Sequence, residues 1–331
     1  MQISLGLASA GHVMYRIKVV SEAKPPAELL SERLYGSQAS AFDARRGLAD
    51  AAPRWIAESL SQLLGRTPEC VLELGAGTGE IGVGLAANTR RYVGIESSEG
   101  MAEQWRDRFA AHSELNRRSE LLVQDADRNW PLDAGSVDLV FASRSAHWFE
   151  PTHLCQELAR VTRPGACFVL GRVVRSHEHP RRWLRREVHR ALQARGLQPK
   201  DGPRRGEELL YELVRSDPAA RWISRQAILK WEFSAAPADI LQGWRDKPSL
   251  AGLELPADQR RTVLDEVTAL ANQRFGALET ELACGEEYAI EGVQFAPSSA
   301  QGEPAVGAPF PIRLASRFGP ILDPSQNSGT P

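Results

Sequence analysis

Val71 to Gly82 reads VLELGAGTGEIG, an apolar run that passes directly into glycines at alternate positions, Gly75, Gly77 and Gly79. Glycine lets a backbone turn this tightly and approach a ligand with no Cβ in the way. A helix is expected to begin near Glu80, so the turn brings backbone N–H groups and a positive dipole end to the mouth of a buried strand. The rest of the chain agrees with a strand, glycine turn and helix of this kind. Apolar runs ending in glycine or acid (RYVGIE, ELLVQDA, VDLVFAS, ACFVLGRVV) alternate with helical stretches. That alternation marks successive βα units, and so an α/β fold with a doubly wound, parallel, Rossmann-like sheet.

The glycines alone do not say which adenosine cofactor is bound. Gly77 to Gly82 also satisfies G-x-G-x-x-G, the dinucleotide fingerprint. Glu73, two residues before the first glycine, discriminates. A carboxylate there repels a pyrophosphate but holds the ammonium of a methionine moiety. Glu96, seventeen residues after Gly79, ends RYVGIE and is placed to accept both hydroxyls of a ribose, which either cofactor would use. Gln124-Asp125-Ala126, at the next strand end, puts an acid where an adenine amino group is read.

Together these segments resemble the class I S-adenosylmethionine-dependent methyltransferases, in the broad small-molecule group often called type 11. VLELGAGTG resembles the family's first motif and VGIESSEGM its ribose segment. QDADRNWPLDAGSVDLVF resembles the adenine segment, and ELARVTRPGACFVL the fifth strand with its preceding helix. The match spans about residues 40 to 176. The resemblance implies a seven-stranded sheet whose last strand is antiparallel, and S-adenosylmethionine as cofactor. It implies that Gly75, Ala76, Gly77 and Gly79 line the methionine moiety with Glu73 nearby. Glu96 and Ser97 then serve the ribose, Met101 packs on the adenine, Asp125 and Ala126 read its edge, and Ser143 closes the cofactor side. Asn129-Trp130 makes the stretch before Pro131 one residue longer than the family spacing, which loosens the assignment of Asp125.

Methyl transfer is expected at the carboxyl edge of the sheet, where VDLVFAS ends and Arg144-Ser145-Ala146-His147-Trp148 follow. His147 has two readings, a general base for a protonated acceptor or a wall residue shaping the pocket with Trp148. The wall is preferred, because methyl transfer to an acceptor that is already nucleophilic needs no proton movement. Strand patterns at 227 to 233 and 286 to 295 fit the family's sixth and seventh strands. The roughly fifty residues between them carry helical patterning around Ile240, Leu241 and Trp244 and again from Gln259 to Phe275, so a helical lid over the substrate is expected. Trp231, Trp244 and Leu250 are wall candidates with core packing as the alternative, and Arg46 is a further substrate-side candidate.

The organisation expected is an extension at 1–25, helices over 26–66, a methyltransferase domain over 67–296 and a disordered tail over 297–331. Within the domain, the core covers 67–176, a basic helical segment 177–222 and the lid 234–285. Between Arg172 and Gly206 there are eleven Lys or Arg against three acids. Arg181, Arg182, Arg185 and Arg186 crowd a helix start, where cations oppose the macrodipole. They are read either as a solvated face or as a dock for an anionic or carrier-bound substrate.

The net charge of −2 provides no field that would draw the whole protein to nucleic acid or an anionic membrane. No stretch has the ~20 apolar residues of a membrane span, and the first twenty residues lack the charge and apolar run of a secretion signal. The scattered Cys70, Cys155, Cys167 and Cys284 suit buried thiols in a reducing cytoplasm. The leading expectation is a cytoplasmic methyltransferase of a small-molecule acceptor, with oxygen as the default acceptor atom. The alternatives are a macromolecular or carrier-bound acceptor docked on the arginine segment, and a non-catalytic S-adenosylmethionine-binding partner subunit. Against a nucleic-acid or protein-glutamine acceptor, no Asn or Asp followed by Pro-Pro and an aromatic comes after the fourth strand.

Overall fold

The computed structural model describes residues 48–199, 205–216, 219–247, 249–296 and 313–316. In chain order the elements are α1 (Ala52–Leu64), β1 (Cys70–Leu74), α2 (Gly82–Ala87), β2 (Arg91–Glu96), α3 (Glu99–Ala110), α4 (Ser113–Asn116), β3 (Ser119–Val123) and β4 (Val137–Ser143). They continue with a 3-10 turn (Ala146–Trp148), α5 (Pro151–Val161), β5 (Thr162–Arg175), α6 (Pro180–Gln193), α7 (Arg205–Ser216), β6 (Arg221–Ala235) and α8 (Pro237–Arg245). The last are a small hairpin of β7 (Ser249–Leu250) and β8 (Leu253–Glu254), then α9 (Ala257–Phe275), β9 (Leu282–Gln294) and β10 (Arg313–Ser316).

The main sheet runs β10, β6, β9, β5, β4, β1, β2, β3. β1 to β5 are parallel, and β9 lies antiparallel between β5 and β6. The family topology expected from the sequence is therefore present. Every residue of β1 and β4 is buried, because helices cover both faces of these central strands and leave no polar side to alternate with.

Four elements differ from expectation. The sixth strand, expected over 227–233, spans Arg221–Ala235, and the seventh begins at Leu282. The helix after the glycine turn starts at Gly82 and has only six residues. Arg313–Ser316 falls in the stretch expected to be disordered, yet it pairs in parallel with Leu229–Glu232 as an eighth strand. The outer edge of β6 presents unpaired backbone groups, and this segment satisfies them. The remainder of the tail, the extension at 1–25 and the expected helical residues 26–47 lie outside the described residues.

α1 buries Ala52, Ile56, Ala57 and Leu60 at helical spacing and ends at Gly65, whose φ of 69° is the left-handed stop glycine favours. It packs tightly on α2, where a Cβ on Gly84 would come 2.1 Å from the Pro53 carbonyl. α6, α8 and α9 form a separate layer with its own apolar core, including Leu184, Val188, Ile240, Leu241, Val263 and Val267. α6, read from sequence as part of a distinct basic segment, thus packs into one layer with α8 and α9. α7 belongs elsewhere, packing on α5 and the 3-10 turn through Leu209, Leu210 and Leu213.

At the amino edge of the sheet, the buried Asp138 carboxylate accepts from Glu69 N at 2.9 Å, Cys70 N at 2.8 Å and the Arg66 guanidinium at 2.5 Å. Arg163 adds a longer contact of 3.3 Å. Burial raises the Asp138 pKa, but these donors and cations more than offset it and hold the carboxyl below its ordinary range.

Candidate cofactor and acceptor site

The glycine turn has the geometry its sequence requires. Gly75, Gly77 and Gly79 have φ values of 71°, 57° and 76°, all in the left-handed region. Two of them also make room for neighbours. A Cβ on Gly75 would sit 2.6 Å from Ser145 Cβ, and one on Gly79 would sit 2.8 Å from the Trp105 ring. At Gly77, by contrast, a Cβ would meet nothing within 4 Å, so the middle of the turn faces open space. Gly75 N and Ala76 N both donate to Ile95 O, and the Arg108 side chain holds Thr78 O from α3.

Glu96 lies against this opening. Its carboxylate accepts from Gly77 N at 2.8 Å, Ser97 N at 2.9 Å and Ser98 N at 2.8 Å. The acid at the end of β2 is thereby fixed against the glycine turn before any ligand arrives. Ser98 caps α3 by accepting from Met101 N, which places Met101 one turn into the helix with its side chain buried. Asp125 accepts from Asp127 N at 2.9 Å and so shapes its own turn, while Ala126 is buried. The extra residue in this segment is absorbed by Trp130, which turns into the core and donates from its indole to Ala126 O at 2.9 Å. Arg160 holds the carbonyls of Trp130 and Leu132 from outside.

Glu73 is buried at the end of β1 and accepts from the Tyr92 hydroxyl at 2.6 Å. A Cβ on Gly82 would come 2.6 Å from Tyr92 Oη and 3.2 Å from Glu73 Oε2. The last glycine of the dinucleotide-like pattern is therefore a packing requirement of this pair. Burial pushes the Glu73 carboxyl up to about 8; the Tyr92 bond and the Arg144 charge oppose that rise without cancelling it. The Tyr92 phenol is itself held well above its ordinary value, by burial first and then by Glu73.

Past β4 the backbone is strained. Arg144 has φ 62°, a left-handed conformation costing a non-glycine residue ~1–2 kcal/mol. Its guanidinium reaches Glu80 at 3.3 Å, and Glu80 also accepts from Leu48 N at 2.8 Å. Glu80 thus joins the glycine turn, the segment entering α1 and the loop after β4. Ser145 donates to Leu74 O at 2.7 Å, and Ser143 shares a 2.6 Å hydrogen bond with Tyr288. A Cβ on Gly171 would overlap the Tyr288 hydroxyl at 2.1 Å, so β5 leaves a gap for that ring.

The cofactor candidates converge on one edge, but the substrate candidates do not form one cluster. His147 is half-buried with its ring 4.9 Å from that of Trp148. Trp148 packs with the α5 and α7 cluster, Trp231 lies in the sheet core, and Trp244 and Leu250 belong to the three-helix layer. Arg46 lies outside the described residues. The sequence reading missed Tyr92, Glu80, Ser145 and Tyr288, which act through partners 19 to 145 residues away. A faint signal exists for Tyr92, since it shares the parity of Gly94 on β2 and Gly94 pairs with Glu73.

An open glycine cradle, a fixed acid at the end of β2 and a buried acid beneath the turn fit an adenosine cofactor with a cationic end. Residues 71–165 match a family model described as a methyltransferase domain. By that match, this segment is a methyltransferase domain. An uncharacterized methyltransferase of Mycobacterium tuberculosis is 29% identical over 151 residues, covering 46% of this chain and 56% of the relative. A demethylmenaquinone methyltransferase of Clavibacter sepedonicus is 37% identical over 105 residues, covering 31% and 40%. The chain thus spans about half the length of the curated relatives it matches, and less of the second.

Two solved structures share the family fold with it. A candidate type II methyltransferase of Anaeromyxobacter dehalogenans superposes with a TM-score of 0.52 at 22% identity, covering 74% of this chain and 97% of that one. The [4+2]-cyclase SpnF gives a TM-score of 0.51 at 16% identity, covering 83% and 98%. Because a cyclase shares the fold, the fold does not decide the reaction.

Proposed function

We propose that this chain transfers a methyl group from S-adenosylmethionine to a small-molecule acceptor held between the carboxyl edge of the sheet and the three-helix layer. The observation that carries this reading is that layer. It leaves the sheet after β5 and after β6 and returns at the start of β9, all on the edge where the glycine turn lies. A lid of this size suits an enclosed acceptor better than a flat macromolecular surface.

Bound S-adenosylmethionine supplies an electrophilic methyl group on a positively charged sulfur. Gly75, Ala76, Gly77 and Gly79 leave space for its methionine end, and Glu73 balances the ammonium. Glu96 and Ser97 take the ribose, Met101 packs on the adenine, Asp125 and Ala126 read the adenine edge, and Ser143 closes the cofactor side. The acceptor lies beside His147 and Trp148. Holding its nucleophilic atom in line at ~3–3.5 Å supplies much of the acceleration, and His147 acts as wall. Oxygen is the default acceptor atom, and the cytoplasm the default location. Consistent with that location, the four cysteines are unpaired, and no described helix is long and apolar enough to cross a membrane.

Incubating the full chain with S-adenosylmethionine and panels of phenols, carboxylic acids and amines tests the reading. Formation of S-adenosylhomocysteine that depends on a small acceptor supports it. Turnover only with protein or nucleic acid, or binding without turnover across all panels, overturns it. A carrier-bound acceptor is the second reading, favoured by the exposed side chains of Arg182, Arg185 and Arg186 on α6. Activity on such a substrate would fall steeply with added salt.

A further inference from the structure

Glu73 is a buried acid whose hydrogen-bond donor is a neutral phenol. Its neighbours in register on the flanking strands are Gly94 and Phe141, neither of which is charged. Tyr92, from β2, is its hydrogen-bond donor and is neutral. The other ionisable groups that act on it are Arg144 after β4, Glu96 at the end of β2 and Glu80 in the glycine turn. Among the described residues no cation lies within ion-pair distance of Glu73, and Arg144 is engaged by Glu80. Gly82 closes the pair from α2 with no side chain of its own. An ionised carboxylate buried this way, with one neutral donor, is costly, and such a group takes up a proton instead.

We infer that Glu73 is protonated in the free protein and gives that proton to solvent when the ammonium end of the cofactor docks beside it, with Tyr92 holding the carboxyl in position. This rests on the reading that the methionine moiety lies against Glu73. One positive charge enters the site and one proton leaves, so the net charge there does not change. Tyr92 keeps its proton and donates to Glu73 throughout. The carboxyl and phenol are then a positioning pair that links cofactor affinity to pH, and the elevated Glu73 value accords with this.

Calorimetric titration of the full chain with S-adenosylhomocysteine, in buffers of differing ionisation enthalpy, counts the protons. About one proton per ligand is expected to leave at pH 7, falling to half near pH 8 and to little above about pH 9. Affinity should rise close to tenfold per unit between about pH 6 and 7 and level off above about pH 8. 5′-Methylthioadenosine, which lacks the amino-acid end, should bind with no proton release. Glu73→Gln should bind S-adenosylhomocysteine with no release and with a flat pH profile. Tyr92→Phe should keep the release but move the levelling-off to higher pH, because the bond that favours the carboxylate is gone. Binding without proton release, or equal release with 5′-methylthioadenosine, overturns the inference even if Glu73→Gln does not fold. Failure of the chain to bind either S-adenosyl compound overturns the functional reading and this inference with it.

Discussion

Asp138 and Glu73 lie on adjacent strands of one sheet, both buried, at opposite ends. Asp138, at the amino edge, has two backbone N–H donors and two guanidinium groups, and its carboxyl is held below the ordinary range. Glu73, at the carboxyl edge, has one hydroxyl donor and is pushed up to about 8. Burial acts in the same direction on both. What differs is whether the protein itself completes the environment. The amino edge is finished and serves stability, whereas the carboxyl edge leaves a charge to be supplied from outside.

The sharpest break of that contrast is Asp138→Ala. It leaves the Glu69 and Cys70 amides without their acceptor, and the half-exposed arginines recover part of their loss in water. Stability should drop by about 2–4 kcal/mol in urea denaturation, with S-adenosylhomocysteine affinity of the folded fraction unchanged. A comparable fall in affinity would mean that the two edges are not independent.

At the other edge, Glu96→Ala should weaken cofactor binding by about 2–3 kcal/mol in calorimetry. Charged hydrogen bonds to two ribose hydroxyls contribute ~1.5–3 kcal/mol each and rarely add in full. Gly77 N, Ser97 N and Ser98 N also lose their acceptor, so some stability goes as well. Unchanged affinity would place the ribose elsewhere.

The two acids should also differ in how stability varies with pH. Glu73 is raised in the folded state, so the native protein holds an extra proton between the ordinary value of 4.5 and about 8. Stability of the free protein therefore falls across that window by up to about 1.4 kcal/mol per unit, then flattens. Denaturation at pH 6 and pH 8 should show a smaller fall in Glu73→Gln than in the parent. Asp138 is lowered instead, so its contribution is present above its ordinary value of 3.8 and is lost as pH falls through the folded value. Equal slopes in parent and Glu73→Gln would remove the contrast.

The smallest expected effect is at His147. If it is a wall, His147→Gln changes KM and acceptor choice by a few fold and leaves kcat within about tenfold. A loss of more than ~10³ in kcat with cofactor binding intact would make it a general base.

Much of the geometry of the glycine-turn edge was legible before the structure, because its requirements are local. Three positive-φ positions in six residues demand glycine, so GAGTGE announces the turn, and the buried strand before it is a continuous apolar run. The place of Glu96 at the end of β2 was legible by distance along one βα unit. The substrate side was not, since Trp148, Trp231 and Trp244 look alike in sequence and differ only in which cluster receives them. α6 was read as a basic segment because its arginines dominate the composition. Its apolar residues, Leu184 and Val188, show their purpose only when α8 and α9 are folded beside them.

By itself, the sequence determined the βα alternation, the glycine turn and the acids at the strand ends, all set by backbone sterics and the spacing of one strand and one helix. Only the tertiary structure decided that Tyr92 and not a cation meets Glu73, that Asp138 is neutralised by Arg66 and Arg163, and that Arg313–Ser316 completes the edge of β6. The first three of these contacts join residues 19 to 72 positions apart, and Arg313 lies 84 residues from its strand partner Leu229. Which of many compatible side chains meet at such separations depends on strand order and face, and no local pattern in the chain encodes it.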